Sequence, residues 1–242
     1  MISQLIENKI SKSEKLFTLL LDPDKHSDKS LRNVVIQANK CKVDLIFVGG
    51  SLLNNDIDRS IQLIKQNTNT PVILFPGSLL QISDKANGIL LLSLISGRNP
   101  DLLIGNHVIA SAHIKRSNIE VLPTGYILVD GGKPTSVEYM SNTKPIPANK
   151  TDIAIATAIA GEMLGLKYIY LEAGSGATTS INIDMIKEVS KNINIPLIVG
   201  GGLNTPNDVR DAAQAGADII VVGTAIEKNS TILCEMASAL HN

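Results

Sequence analysis

Eight short apolar runs recur along the chain, each closed by a turn. They read LFTLLLDP (16–23), DLIFVGGS (44–51), PVILFPGS (71–78), GILLLSLISG (88–97), TGYILVDG (124–131), YIYLEAGSG (168–176), PLIVGGG (196–202) and DIIVVGT (218–224). None alternates polar with apolar residues. A strand that is apolar at consecutive positions is buried on both faces, which is the pattern of a parallel sheet covered by helices. Helical patterns lie between most of the runs, at 27–41, 55–66, 100–116, 151–164, 182–191 and 205–215, and a last one at 227–240 ends the chain. Ser27 stands where the first of these needs an N-cap. The 205–215 segment carries both its start and its stop: Thr205 as N-cap, Pro206 at the first helical position and Gly216 just past the end.

Alternating strands and helices with right-handed crossovers give an open doubly wound sheet or a closed barrel. Eight strands in 242 residues favour the (β/α)8 TIM barrel, which typically takes about 250 residues. One unit is irregular. Only SLLQISDKAN (78–87) separates the third run from the fourth, too little for a full helix and two loops, so an irregular or missing third helix is expected. No linker, repeat or low-complexity segment divides the chain, which reads as one domain over 1–242.

Composition narrows the partners. Lys plus Arg number 22 and Asp plus Glu 23, so no charge excess points to nucleic acid or to an acidic membrane. The longest apolar run is too short to span a bilayer, so any lipid must be reached from the water side. Aromatics are scarce, with no Trp, and the core must be built mainly from Ile, Leu, Val and Ala. Cys41 and Cys234 show neither metal-type spacing nor a disulfide framework. Together with a polar N-terminus that lacks a signal-peptide centre, they indicate a reducing cytoplasm. His26, His107, His113 and His241 show no ligand spacing and are expected at the surface or in loops.

On a barrel, chemistry collects at the C-terminal ends of the strands. The glycine triplet Gly200–Gly202 leaves backbone amides unobstructed after the seventh run. Gly223 and Thr224 follow the eighth, where a helix start adds positive potential. Together they read as a phosphate site. Glu172 closes the sixth run and faces the mouth. It can hold polyol hydroxyls or accept a proton from one, unless Lys167 or Lys187 merely pairs with it. Gly174, Ser175 and Gly176 add amides beside it. Asp22 and Ser51, ending the first two runs, are hard oxygen ligands at neighbouring strands. They suit Mg2+, which binds through few protein groups and takes the rest from water and phosphate.

Taken in order, LLLDPDK, DLIFVGGS, PVILFPGS, PTGYILVDGGKPTSVEY, YIYLEAGSGA, PLIVGGGL and ADIIVVGTAIE closely resemble the geranylgeranylglyceryl phosphate synthase family, over nearly the whole chain. The resemblance implies a barrel whose third helix is replaced by a less regular segment. It implies a Mg2+-dependent prenyltransferase of ether phospholipid biosynthesis, joining a polyprenyl (geranylgeranyl) diphosphate to the C3 hydroxyl of sn-glycerol 1-phosphate. By position it puts the metal at Asp22 and Ser51. It puts the glycerol phosphate at Tyr170, Leu171, Glu172, Ala173, Gly174, Ser175, Gly176, Gly201, Gly202, Gly223 and Thr224, with Glu172 and Asp22 catalytic. GILLLSLISG and PTGYILV are candidate walls for the prenyl tail. Homo-oligomers, dimer or hexamer, and a transient contact with a membrane surface are implied as well. The same reaction with another chain length, a phosphosugar isomerase or aldolase, and a non-catalytic phospholigand-binding barrel are the alternatives. An aldolase would need a Schiff-base Lys at a strand end, and none of the eight runs carries one.

Overall fold

The structure, a computed structural model, describes residues 1–240. Its strands are β1 (Leu16–Leu21), β2 (Leu45–Val48), β3 (Val72–Leu74), β4 (Gly88–Leu94), β5 (Glu120–Leu128), β6 (Tyr168–Glu172), β7 (Leu197–Gly200) and β8 (Ile219–Val222). All pair in parallel and in chain order, and β8 returns to β1 through Leu16↔Ile219 to Leu19↔Val222, closing the barrel. The helices are α1 (Ile2–Ile10), α2 (Asp28–Lys40), α3 (Ile57–Lys65), α4 (Asn106–Ser117), α5 (Ser136–Ser141), α6 (Thr151–Met163), α7 (Ile183–Asn192), α8 (Pro206–Gln214), α9 (Thr224–Lys228) and α10 (Leu233–Ser238).

Continuous apolar strands give two cores. Leu45, Phe47, Leu90, Tyr126, Tyr170, Ile198 and Ile219 fill the barrel interior. Their neighbours Ile46, Val48, Ile89, Ile127, Ile169, Leu171 and Val199 pack outward beneath the helices. The N-terminal end of the barrel is shut by α1, which buries Ile2 and Ile6 in the inner core. Each such side chain contributes about 1.5–3 kcal/mol. Glu120, the first residue of β5, fixes this plug by accepting hydrogen bonds from the backbone N–H of Ile2 and of Ser3 (2.9 Å) and from the Ser3 hydroxyl (2.6 Å). Burial would raise its pKa; the Ser3 and Ile2 donors outweigh that and hold the carboxyl below the ordinary glutamate range.

No helix follows β3 among the described residues: 75–87 is irregular, as its length requires. The seam there is thin. β3 and β4 pair through Ile73↔Gly88 and Leu74↔Ile89 only, whereas β4 and β5 pair from Gly88↔Glu120 to Leu94↔Tyr126. The caps read from the sequence are present. Ser27 accepts from Ser30 N–H (3.2 Å), Thr205 and Asp208 form a reciprocal capping box, and Gly216 has φ +116°.

Three expectations need correction. The last helix is not continuous over 227–240. It ends at Lys228, a 3-10 turn occupies Ser230–Ile232, and α10 begins at Leu233. Asn229 makes the break, its Oδ1 accepting from Thr231 N–H (3.1 Å), a local bond that competes with helix continuation. Second, Cys41 and Cys234 are not unpaired bystanders. They form a disulfide, with Cα atoms 4.6 Å apart, joining the C-cap of α2 to α10 across 193 residues of sequence. Third, His107 is not at the outer surface. It is half-buried on α4, with Nε2 3.1 Å from Ser93 Oγ, and burial lowers its pKa. His26 is half-buried too, whereas His113 is exposed; His241 lies outside the described residues.

Candidate active site

The C-terminal ends of the strands open into a cavity of about 870 Å³, towards the upper end of the ~300–1,000 Å³ range of small-molecule sites. Ten of the residues singled out in the sequence line it: Asp22, Ser51, Tyr170, Glu172, Ser175, Gly176, Gly201, Gly202, Gly223 and Thr224. Leu171, Ala173 and Gly174 do not. Leu171 and Ala173 turn into the outer core, as strand alternation requires, and Gly174 acts through its amide.

Glu172 is the central group. It ends β6, is 5 % exposed, and its Oε1 accepts a hydrogen bond from Gly174 N–H at 2.7 Å. Neither Lys167 nor Lys187 pairs with it. Burial pushes its pKa up to about 7, and the Gly174 amide and the nearby Tyr170 hydroxyl limit the rise. The group therefore changes charge near neutrality. Tyr170 stands two residues earlier on the same inward face. Its buried hydroxyl has no hydrogen-bond partner among the described residues.

The glycine triplet does more than bare its amides. A Cβ on Gly200 would lie 2.4 Å from the Tyr170 hydroxyl, and one on Gly201 would lie 2.4 Å from Glu172 Oε1. One on Gly202 would lie 2.6 Å from Thr179 O. Gly201 and Gly202 also have φ of +81° and +70°, where a side chain is strained. The triplet thus makes room for the tyrosine, the carboxylate and the facing loop. Across from it, Ser175 Oγ and Thr224 Oγ1 are 3.2 Å apart.

The opposite rim is built from β1 and β2. A Cβ on Gly50 would lie 3.1 Å from Asp22 Oδ1, so the glycine lets the carboxylate reach the β2 loop that carries Ser51. Asp22 Oδ1 accepts from Asp24 N–H (3.1 Å), and Oδ2 lies 3.5 Å from Lys25 Nζ. Burial opposes the lysine's charge. Glu227, 3.1 Å away, outweighs it and holds Lys25 above its ordinary pKa. No cluster of three or more His, Cys, Asp or Glu side chains suited to a metal occurs among the described residues. One carboxylate facing the loop that carries a serine fits a hard, mostly hydrated cation whose remaining ligands come from phosphate oxygens.

Between the rims lies an aromatic floor that sequence reasoning missed. The chain has three Phe and four Tyr. Of these, Phe75 stacks on Tyr170 (5.5 Å between ring centres) and meets Tyr126 and Phe47 at 6.1 Å. Tyr126 meets Tyr170 edge-on at 5.3 Å. Beyond this floor the cavity turns apolar, lined by Leu79, Ile82, Ile89, Leu91, Ala110 and Ile114. These belong to the irregular 75–87 segment, the outward face of β4 and the inner face of α4. The run GILLLSLISG therefore does form a wall, whereas PTGYILV contributes Tyr126 alone. The short α5 also borders the cavity through Ser136, Val137 and Met140. Its signal was Thr135, whose hydroxyl accepts from Glu138 N–H (3.3 Å) to cap the helix.

Comparison with known proteins supports the barrel and identifies its family. Residues 8–240 match the model of the PcrB family. A geranylgeranylglyceryl phosphate synthase of Chitinophaga pinensis is 49 % identical over 232 residues, covering 96 % of this chain and 92 % of its own. One of Korarchaeum cryptofilum is 41 % identical over 240 residues, covering 97 % and 98 %. The crystal structure of (S)-3-O-geranylgeranylglyceryl phosphate synthase from Thermoplasma acidophilum, in complex with the substrate sn-glycerol-1-phosphate, superposes with a TM-score of 0.91 at 32 % identity, covering 97 % of this chain and 96 % of the other. With barrel and sequence in accord over nearly its whole length, the chain belongs to the PcrB family, among the geranylgeranylglyceryl phosphate synthases.

Proposed function

We propose that the protein transfers a geranylgeranyl group from its diphosphate to the C3 hydroxyl of sn-glycerol 1-phosphate, for ether phospholipid synthesis. One observation carries the reading. A single cavity runs from glycine loops suited to a phosphate, past a buried carboxylate poised near neutrality, into an apolar groove. The substrate named for the Thermoplasma acidophilum relative fits the polar half.

The backbone amides of Gly201, Gly202, Gly223 and Thr224, with the Ser175 and Thr224 hydroxyls, hold the phosphate. The helix beginning at Thr224 has five residues, so local amides rather than a long helix dipole supply the potential. Glu172 and the unpartnered Tyr170 hydroxyl hold the glycerol hydroxyls and fix the attacking oxygen. Mg2+, held by Asp22 and Ser51, would neutralise the leaving diphosphate. Lys25 adds positive charge on the same side. The bond between the allylic C1 and the diphosphate oxygen breaks, and the ether bond from C1 to the glycerol oxygen forms. The hydroxyl proton passes to Glu172, whose raised pKa suits a base at neutral pH. Positive charge developing on C1 faces the rings of Phe75, Tyr126 and Tyr170, which favour a cation over their faces.

The apolar groove takes the tail, and the same chemistry serves a longer or shorter one. The lysines bordering the cavity, Lys25 and Lys228, are exposed and stand outside the strands, which speaks against an aldolase. Incubation with sn-glycerol 1-phosphate and labelled prenyl diphosphates of several lengths, with and without Mg2+, tests the reading. Mg2+-dependent ether product, greatest with geranylgeranyl diphosphate, is expected. Binding of glycerol phosphate without turnover would overturn it.

Self-association and transient membrane contact belong to the same proposal. Ile104, in the helical turn just before α4, and Val108 and Ile109, at its start, are 61–70 % exposed and give an apolar face suited to either. No helix among the described residues is long and apolar enough to cross a membrane. Sedimentation and vesicle flotation test these two points. A cytoplasmic location is proposed too. The Cys41–Cys234 bond weighs against a fully reducing compartment, and alkylation of thiols in intact cells decides between the two.

A further inference from the structure

The segment that replaces the third helix reaches the metal side of the site through one side chain. Gln81 is only 2 % exposed. Its Oε1 accepts from Gly77 N–H (3.0 Å) and Gly50 N–H (3.4 Å), and its Nε2 donates to Gly50 O (2.7 Å). The strand ladder explains this geometry. Ile46 N–H donates to Pro71 O, and Phe75 N–H donates to Val48 O. Carried two residues further, the same alternation would join Gly77 N–H to Gly50 O. The carboxamide is inserted between those two groups instead, accepting from one and donating to the other. It extends the sheet by one rung where the main chains part.

The approach is tight on both sides. A Cβ on Gly49 would lie 1.9 Å from Phe75 O, and one on Gly77 would lie 2.3 Å from Gly50 O. The peptide of Gly50 is thus held by Gln81 on one side and faces Asp22 on the other, with Ser51 next in the chain. Leu79 and Ile82, on either side of Gln81, are walls of the apolar groove.

We infer that Gln81 is a positioning residue coupling the two parts of the donor site. It holds the Gly50–Ser51 loop against Asp22, and it does so only while 77–82 is packed in place. A chain seated on Leu79 and Ile82 therefore secures the loop that meets the diphosphate. The occupants of groove and loop rest on the proposed prenyl transfer; the hydrogen-bonded coupling does not.

Gln81→Met tests this, keeping the length and apolar body of the side chain while removing its three hydrogen bonds. Without any ligand, amide exchange in peptides covering 49–53 and 76–82 should speed by about tenfold, the equivalent of one or two net hydrogen bonds, while peptides of α7 and β7 stay unchanged. With substrates, the Mg2+ needed for half-maximal rate and the KM for prenyl diphosphate should each rise about tenfold on the same basis. The KM for glycerol phosphate should stay within about twofold, because Gln81 touches none of the loops proposed to hold it. Gln81→Glu keeps the two accepted bonds and loses the donated one, and should fall between Gln81→Met and the wild type. Ile64→Val, a core change on α3 that lowers stability without touching either loop, should alter none of these readouts. Unchanged exchange at 49–53 in Gln81→Met would overturn the inference, as would an equal rise in the KM for glycerol phosphate. A wild-type protein inactive with these substrates would instead sink the proposed reaction and leave the exchange result to decide the role of Gln81.

Discussion

The two sides of the barrel mouth are built by different means. From β6 to β8 the site is made of backbone. Four glycines, Gly174, Gly176, Gly201 and Gly202, have positive φ there, and the carboxylate they surround is almost fully buried. From β1 to β4 the site is made of side chains. It has one half-buried carboxylate, an irregular segment in place of a helix, a two-pair seam between β3 and β4, and an apolar groove. A small acceptor with a fixed phosphate can be met by a rigid mould. On the proposed reaction, a long, flexible tail would need room, and the absence of a helix after β3 leaves an apolar groove there. Under the proposed function the contrast would divide labour between fixing an acceptor and accommodating a donor, and it is open to attack from either side.

The largest expected effect is on the backbone side. Glu172→Gln keeps the shape and removes the proposed base, and should lower kcat by about 10²–10⁴, the usual share of a general base. A rate near wild type, measured in initial-rate assays, would leave Glu172 with no part in the chemistry. Asp22→Asn attacks the other side. It should cost about 10²–10³ in kcat/KM for the prenyl diphosphate, as the loss of transition-state charge stabilisation does elsewhere. Glycerol phosphate should still bind to the variant with near wild-type affinity by calorimetry.

Gly201→Ala asks whether the mould is as exact as it looks. A methyl group at φ +81° and 2.4 Å from Glu172 Oε1 should destabilise the protein by about 1–3 kcal/mol. It should raise the KM for glycerol phosphate about tenfold or more, since each ~1.4 kcal/mol is a factor of ten. The KM for the prenyl diphosphate should hardly move; equal changes in both would erase the distinction between the two sides.

On the backbone side, Glu172 sets the pH dependence expected near neutrality. Glu172 loses its proton near pH 7 in the folded protein, against an ordinary value of 4.5. Below about 7, kcat/KM for glycerol phosphate should fall close to tenfold per pH unit as the base is protonated. For stability the sign is the reverse of that for a salt-bridged carboxylate. From pH 4.5 to about 7 the folded protein keeps a proton that the unfolded chain has lost, so stability declines as the pH rises through that window. Denaturant titrations across it should show the slope in the wild type, and Glu172→Gln should remove that contribution.

The smallest functional effect is expected far from both rims. Reduction of Cys41–Cys234, or Cys41→Ser, should lower stability by about 2–5 kcal/mol. Both KM values should stay as they were, because neither cysteine borders the cavity. A changed KM would mean that the α9–α10 segment feeds back on Thr224.

Much of this was legible in the chain because the signals are local. Continuous apolar runs mark doubly buried strands, and each run ends where a barrel places its chemistry, so Asp22, Ser51, Glu172 and Thr224 could be named from position alone. The short interval 78–87 foretold the missing helix. What escaped depends on contacts distant in sequence. The partner of Cys41 is 193 residues away. Phe75 and Tyr126 look like core in their own apolar runs and meet Tyr170 only once the barrel closes. The glycine triplet was read as a source of amides; that its missing side chains clear space for Tyr170 and Glu172 shows only in three dimensions. The break at Asn229 was within reach, since Asn-Ser-Thr favours a cap over a continuing helix.

The disulfide also changes the connectivity of the molecule. Residues 41–234 form a covalent ring that holds the strands from β2 to β8 and all of the cavity loops except the one after β1. A protease that cuts once within that ring opens it but releases nothing. The nicked protein would run as a single species until reductant is added, with the exposed tip of the irregular segment at Leu80 the readiest place for the cut.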